Sequence, residues 1–423
     1  MFAAVVLLIL GTGMVQGWNS ALLILNMGLV SAIMSLGLNL QWGFAGLLNV
    51  GVMGFVALGG LAVVLTATPP VTEAWAAGGL RMLAALVAGA TTIIGALILW
   101  RRLTGRARGW AVAGWLVAGL MIYRWLYIPA AGAIEAVNPT LAGNLGGAGL
   151  PVLLSWPAGA VLAAGAAWLI GKTALGLRSD YLAIATLGIA EIIVAILKNE
   201  DWLTRGVKNV IGLPRPVPYE IALQNDPGFA GRAADWGVDP VTASTLYVKA
   251  EYGLMFAAIL IVLLVLAQLA RASPWGRMMR AIRDNEVAAA AMGKDVTARH
   301  LQIFILGSAI CGLAGAMMTT LDGQLVPSSY QPLRYTFLIW VMVIVGGSGN
   351  NLGAVLGGIL IWWLWVQVEP LGQWLLSLLS APLPAGDLKD HILEGAAYMR
   401  MLTMGVILLL VLRFSPRGLL PER

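Results

Sequence analysis

Few side chains in this sequence could do chemistry, and they are scattered along it. Glu191 stands out because it is embedded in the apolar run Tyr181 to Leu197, YLAIATLGIAEIIVAIL. A carboxylate at that depth in hydrocarbon must be paired, protonated or facing water, which makes it a candidate for handling a polar solute or a proton. The competing structural use is a hydrogen bond to a neighbouring helix. Gln41 and Asn49 fall in a second apolar region, LQWGFAGLLNVGVMGFVALGG from Leu40 to Gly60, which holds six glycines. Amides among glycines suit a broken or closely packed helix, whose freed backbone groups line protein or a water-filled path. Plain close packing is the alternative reading of those glycines.

Other chemistries find no residues. The lone Cys311 excludes a disulfide framework within the chain, and only two histidines, His300 and His391, leave no metal cluster. Gly171, Lys172 and Thr173 spell the end of a phosphate-binding loop, but the earlier glycine is replaced by Ala166 and the stretch closes an apolar helix. Ser348 lacks the closing glycine of a nucleophile elbow, since Asn350 stands there. No cofactor is expected in this chain, and no enzymatic reaction.

The elements that hold these residues are apolar spans. Hydrophobic residues make up 59% and charged residues 11% of the chain, with a mean hydropathy of +0.85, so the expectation is an all-α, polytopic transmembrane bundle in a single domain, 1–423. The net charge of +6 does not point to nucleic acid, because the basic residues sit between apolar segments instead of along one soluble face. They mark topology. Residues 2–15 are expected as a retained first span, and 20–40 and 46–66 as a crossing pair with Gln41, Trp42 and Gly43 at the turn. Spans at 82–100 and 109–128 flank a basic turn containing Arg101, Arg102, Arg106 and Arg108. Further spans are expected at 149–170, 181–197, 252–270, 301–320, 335–345, 352–368 and 397–413, the last leading to a basic tail with Arg413, Arg417 and Arg423. The total is about 10–12 spans with both termini inside, falling if 335–368 is a re-entrant pair. Segments 198–251 and 369–396, the latter with Glu369, Asp387, Asp390 and Glu394, are expected outside.

One charged island interrupts this pattern, Ser273 to His300, SPWGRMMRAIRDNEVAAAAMGKDVTARH. Ser273 and Pro274 form a helix start, Gly293 a stop, and Asp295 a cap for the next helix. Met278, Ile282, Asn285, Ala289 and Met292 recur at helical spacing, which predicts one helix over 274–292 with a mostly apolar stripe. The alanines from Ala288 to Ala291 leave room for a partner to approach. A docking surface and a basic loop that only fixes topology both fit these residues.

Four stretches then carry a family resemblance: this island, GLRSDYLAIATLGIAEII (Gly176 to Ile193), LNLQWGFAGLLNVGVMGF (Leu38 to Phe55) and GGSGNNLGAVLGG (Gly346 to Gly358). Taken in chain order, they resemble the permease subunit of branched-chain amino acid ABC transporters, the LivM type. The resemblance implies an ATP-driven importer whose cargo arrives on a solute-binding protein. It implies two cytoplasmic ATP-binding subunits carrying ATP and Mg, a second homologous permease in a heterodimer, and a bacterial cytoplasmic membrane. The island, 271–300, resembles the loop that docks on the ATPase, with Glu286, Ala288, Ala289 and Gly293 matching the motif and Arg283 beside it. Segment 198–251 becomes a periplasmic loop, and Gln41, Asn49 and Glu191 become candidates for the translocation path. Two departures stand out: the pair of spans 82–128 reads as an insertion, and LTRGVKNVIGLP (Leu203 to Pro214) replaces an expected Gly- and Asn-rich loop. The second leaves urea or a short-chain amide open as cargo. An ion-coupled carrier using Glu191 is the alternative mechanism.

Overall fold

Capping chemistry fixes where most polar segments turn into helix. Asp226, Asp239, Ser273, Asn285, Asp295 and Asn350 each accept a hydrogen bond from a backbone N–H in the first turn of the helix that follows, and proline fills the first helical position after the first three. The structure, a computed structural model, describes residues 1–138, 143–381 and 386–422; Arg423 lies outside them, as do the side chains of Arg106 and Asp390. Among the described residues eight helices are long and apolar enough to cross a membrane, and Phe2–Gln16, Val52–Ala67 and Tyr335–Gly346 are shorter apolar helices. The protein is a multi-pass, all-α membrane protein.

In chain order the helices are α1 (Phe2–Gln16), α2 (Trp18–Asn39), α3 (Val52–Ala67), α4 (Leu80–Arg102), α5 (Arg106–Glu135), α6 (Ser155–Ala174), α7 (Ser179–Asn199), α8 (Pro227–Asp235) and α9 (Pro240–Ala272). Then come α10 (Pro274–Asp284), α11 (Glu286–Ala291), α12 (Val296–Asp322), α13 (Pro332–Gly346), α14 (Asn351–Ser380), α15 (Asp387–Glu394) and α16 (Met399–Phe414). A two-residue antiparallel pairing of β1 (Val210–Ile211) with β2 (Gln324–Leu325) ties the loop after α7 to the end of α12.

Directions follow from side-chain contacts. Trp363 Nε1 donates to Thr12 Oγ1 at 2.9 Å and Gln16 pairs with Gln367, so α1 runs parallel to α14. Ser35 Oγ donates to the Ala354 carbonyl and Asn39 to Asn351, so α2 runs antiparallel to it. Gly17 alone separates α1 from α2, at a φ of 94° that side chains disfavour.

The core forms where α2, α3, α6 and α12 meet through small residues. A methyl group at Gly37 would lie 2.8 Å from Cys311 Sγ, and one at Gly312 would drive into Ala163 and the Gly159 carbonyl. Lipid tails offer no hydrophobic force between helices, so this close van der Waals approach is what holds them together.

Several boundaries differ from the sequence reading. The expected span 46–66 is broken: α2 continues through a π-helical turn, Leu40–Phe44, residues 45–51 follow no regular structure, and α3 starts only at Val52. Gln41 is therefore 1% exposed and not at a solvated turn. Helix α9 begins at Pro240, well before 252, which shortens the non-membrane segment; α14 reaches Ser380, so much of 369–396 is helix. Helix α14, at 30 residues, spans about 45 Å, long enough to cross a bilayer, whereas α13 has 15 residues. The pair α4 and α5 packs mainly on itself, with Arg81 donating to the Trp125 carbonyl, and no residue in the most apolar stretch of α5 is buried.

Candidate functional site

The break between α2 and α3 gathers polar groups that would otherwise be stranded. Asn49 Nδ2 donates to Gln41 Oε1 at 2.8 Å, and Gln41 Nε2 donates to Ser308 Oγ and to the Phe304 carbonyl, both at 3.0 Å. Asn49 Oδ1 accepts from the Gly51 N–H, Thr186 Oγ1 accepts from the Val50 N–H, and Thr336 Oγ1 accepts from the Met53 N–H. Trp340 Nε1 donates to the Asn49 carbonyl while its ring lies 4.7 Å from that of Trp42. Helices α7 and α13 thus satisfy backbone groups that the missing helical turns would have satisfied, while α12 holds the Gln41 amide. An irregular segment at this depth is stable only with such partners. Chemically the arrangement offers amides and hydroxyls, with no nucleophile and no acid–base pair.

The sequence-predicted residues divide. Gln41 and Asn49 come together here. Glu191 does not: its side chain is exposed on α7, on the face shared with Gly188 and Ala195, while Thr186 on the opposite face joins the network. The sequence reading missed Thr186, Ser308, Thr336 and Trp340, whose only signal was a hydroxyl or an indole inside an apolar run.

The charged island folds differently from the single helix expected over 274–292. Asn285 adopts extended backbone, φ −157° and ψ 96°, and its side chain caps α11 by accepting from the Ala288 N–H, so two helices meet at a corner. Asn285 is thus a cap, not part of an apolar stripe, and Met292 is 79% exposed. Ile282 and Ala289 are buried with Val296, closing the corner, and Met279 packs into the main core. Gly293 stops α11 at a φ of +76°, as expected. Glu286, Val287, Ala288, Ala290 and Met292 are all exposed, and Glu286 also borders a cavity behind the corner.

Arg283 links this corner to the broken helix. Its Nη1 donates to the Gly43 carbonyl at the end of the π-turn and to Glu422 Oε2 at 2.9 Å, and its Nε donates to Asp284. Burial would lower the Arg283 pKa, but the Glu422 and Asp284 carboxylates raise it above the ordinary arginine value, so the cation is fixed. Glu422 is held in turn. The Leu419 and Leu420 N–H groups donate to the Val345 and Gly346 carbonyls at 2.8 and 2.9 Å, and Asn350 Nδ2 donates to the Pro421 carbonyl. Asn39 Oδ1 accepts from the Gly349 N–H and its Nδ2 donates to Asn351. The C-terminal tail, the α13–α14 turn, the end of α2 and the α10 corner therefore form one continuous polar cluster. The two glycine-rich stretches of the sequence meet in it, since Gly43 has no room for a side chain beside Gly349.

The corner is thus tied directly to the broken helix through Arg283. Residues 107–412 match the family described as the permease component of branched-chain amino acid transport systems. The chain belongs to that family. The match begins within α5 and takes in the corner and α12 to α14, while α1 to α3, with Gln41 and Asn49, precede it. The chain is similar to the high-affinity branched-chain amino acid transport system permease protein LivM of Salmonella typhimurium and of Escherichia coli, at 27% identity over 269 residues in each. Those alignments cover 63% of this chain and 56% of each relative, so the chain spans little more than half the length of those relatives. It is also similar to a probable branched-chain amino acid transport permease protein LivM of Methanocaldococcus jannaschii, 27% identical over 301 residues, covering 69% of this chain and 74% of that protein. No solved structure matches the chain.

Proposed function

We propose that the chain is the membrane-spanning subunit of an ATP-driven importer that moves branched-chain or related aliphatic amino acids, and that it catalyses no reaction of its own. In this reading a solute-binding protein delivers cargo to the outer loops, two separate cytoplasmic subunits bind ATP and Mg, and a second homologous permease completes the path. The membrane is a bacterial cytoplasmic membrane with both termini inside, and α4 and α5 are an addition to the common permease core. The observation that carries the reading is the Arg283 contact from the docking corner to the Gly43 carbonyl, because it joins a partner-facing surface to the break beside Gln41 and Asn49. An ATPase that rotates the corner between two states changes the support of that break, and its differential binding to the two states supplies the drive.

Purification from the native membrane tests this directly. The expected result is co-purification of an ATPase pair and a second permease, with leucine uptake that stops when the ATPase is removed. Competition by urea but not leucine would shift the cargo to urea or a short-chain amide. Uptake that survives loss of the ATPase and collapses with the proton gradient would overturn the reading in favour of an ion-coupled carrier.

A further inference from the structure

Behind the docking corner lies a cavity of about 340 Å³ that the coupling role leaves unused. Its walls come from loop residues 45–48, the α6–α7 turn, α10, the start of α11 and the start of α12. The volume is that of a small-molecule site. Its charges decide what it suits. Arg283 lines it but is already engaged by Glu422, Asp284 and the Gly43 carbonyl. That leaves one cation and one anion. Arg178 precedes the first turn of α7, and no hydrogen bond or ion pair engages its guanidinium among the described residues. Glu286 stands at the start of α11, likewise without a hydrogen bond or ion pair there. His300 also lines the cavity, and its Nε2 is buried and, among the described residues, without a hydrogen-bond partner, a cost that a polar ligand atom would relieve. The remaining wall is aliphatic and includes Leu48, Leu182 and Ile282.

We infer that this cavity binds a zwitterionic aliphatic amino acid from the cytoplasmic side, with the carboxylate on Arg178 and the α7 N-terminus, the ammonium on Glu286, and His300 Nε2 completing the shell. A dianionic phosphate fits poorly, because Glu286 repels it and Arg283 is spent. A simple cation is opposed by Arg178. A neutral amide leaves both charges without a counter-charge. A zwitterion matches one cation and one anion beside the aliphatic side chains of Leu48, Leu182 and Ile282. The identity of the aliphatic amino acid rests on the transport reading above. The consequence is a site for imported cargo next to the loop that carries Asn49, where occupancy holds residues 45–48 against α10.

The test is equilibrium binding of radiolabelled leucine to the purified full chain in lipid nanodiscs, which needs no ATPase. Leucine is expected to bind, with leucinamide and 4-methylpentanoate, which lack the carboxylate and the ammonium, competing about tenfold more weakly or worse. Arg178→Gln is expected to weaken binding by about tenfold, and His300→Gln to weaken it by a smaller factor while keeping the wild-type unfolding temperature. If Arg178→Gln does not fold, His300→Gln decides the outcome. Absence of leucine binding, equal competition by 4-methylpentanoate, or unchanged affinity in the folded variants would overturn the site. Absence of leucine binding to the wild-type chain with ATP-driven uptake intact counts against this cavity alone; binding with no ATP-driven uptake counts against the transport reading alone.

Discussion

Arg283→Gln is the sharpest probe of coupling, because one side chain bridges three separate elements. It removes the bond to the Gly43 carbonyl and the 2.9 Å pair with Glu422, in which the two side chains are 25% and 27% exposed. At that exposure solvent screens the pair, and the two contacts together amount to about 2 kcal/mol. If that energy distinguishes the two states of the corner, uptake should fall about thirtyfold. The protein should still insert, since Met279 and Ile282 keep α10 packed. The assay is ATP-driven uptake at matched membrane abundance, paired with thermal unfolding of Arg283→Gln, Glu422→Gln and the double variant. The double variant should lose less than the sum of the single losses, with a coupling energy of about 1 kcal/mol. Wild-type uptake in Arg283→Gln, or strictly additive losses, would falsify the idea that the tail and the corner act as one unit.

Gln41→Leu should lower stability by about 2–4 kcal/mol, because it strands the Asn49 amide and the Ser308 hydroxyl in a buried site; a drop in unfolding temperature checks it, and an unchanged one would show that water replaces the amide. Gly312→Leu should yield no folded protein while Gly188→Leu folds, since only Gly312 is closed in by a neighbouring backbone; folded yield by size-exclusion chromatography separates them. Glu191→Ala should leave the stability within about 0.5 kcal/mol of wild type, because the exposed side chain has no hydrogen bond or ion pair among the described residues, yet reduce uptake. Equal uptake would remove Glu191 from the path. Val287→Cys and Trp236→Cys, at positions 79% and 86% exposed, should react with an impermeant thiol reagent from opposite sides of the membrane, and buried Cys311 should give no background. Labelling from the same side would refute the proposed topology.

Span existence was legible because length and hydropathy demand it, and the caps at Ser273 and Asp295 were legible because their chemistry is local. Span ends were not. Helix α14 continues past Glu369 and Pro370 because Arg400 pairs with the Glu369 carboxylate and the proline sits in a helix already supported by its neighbours, which composition cannot reveal. The corner at Asn285 was misread for a related reason. Asparagine at that position continues an apolar stripe or caps a new helix equally well, and the choice is made by Ile282, Ala289 and Val296 closing on each other across the turn. Gln41 and Asn49 were found together because a buried amide is expensive wherever it lies. Their partners Ser308, Thr186 and Thr336 were hidden because a hydroxyl in an apolar helix can bond its own preceding turn, as Thr186 also does to the Ala183 carbonyl.

The broken helix explains why the polar cluster extends to the C-terminal tail. A continuous α2–α3 connection would satisfy its own backbone and give a docking corner nothing to act on. Breaking it leaves carbonyls and N–H groups around the break whose partners come from α7, from α13 and, at Gly43, from Arg283. Each partner is set by the position of its own helix, so a small displacement of α10 has to be met by a change in the bonding of Gly43. The tail limits that displacement. By pairing with the Val345 and Gly346 carbonyls it fixes Glu422 to the α13–α14 turn, which Asn39 fixes to the end of α2. The corner can then move only by breaking the Arg283 contacts or by carrying the turn and the end of α2 with it. An intact and a broken Arg283 contact are two discrete arrangements, which is what the proposed coupling requires.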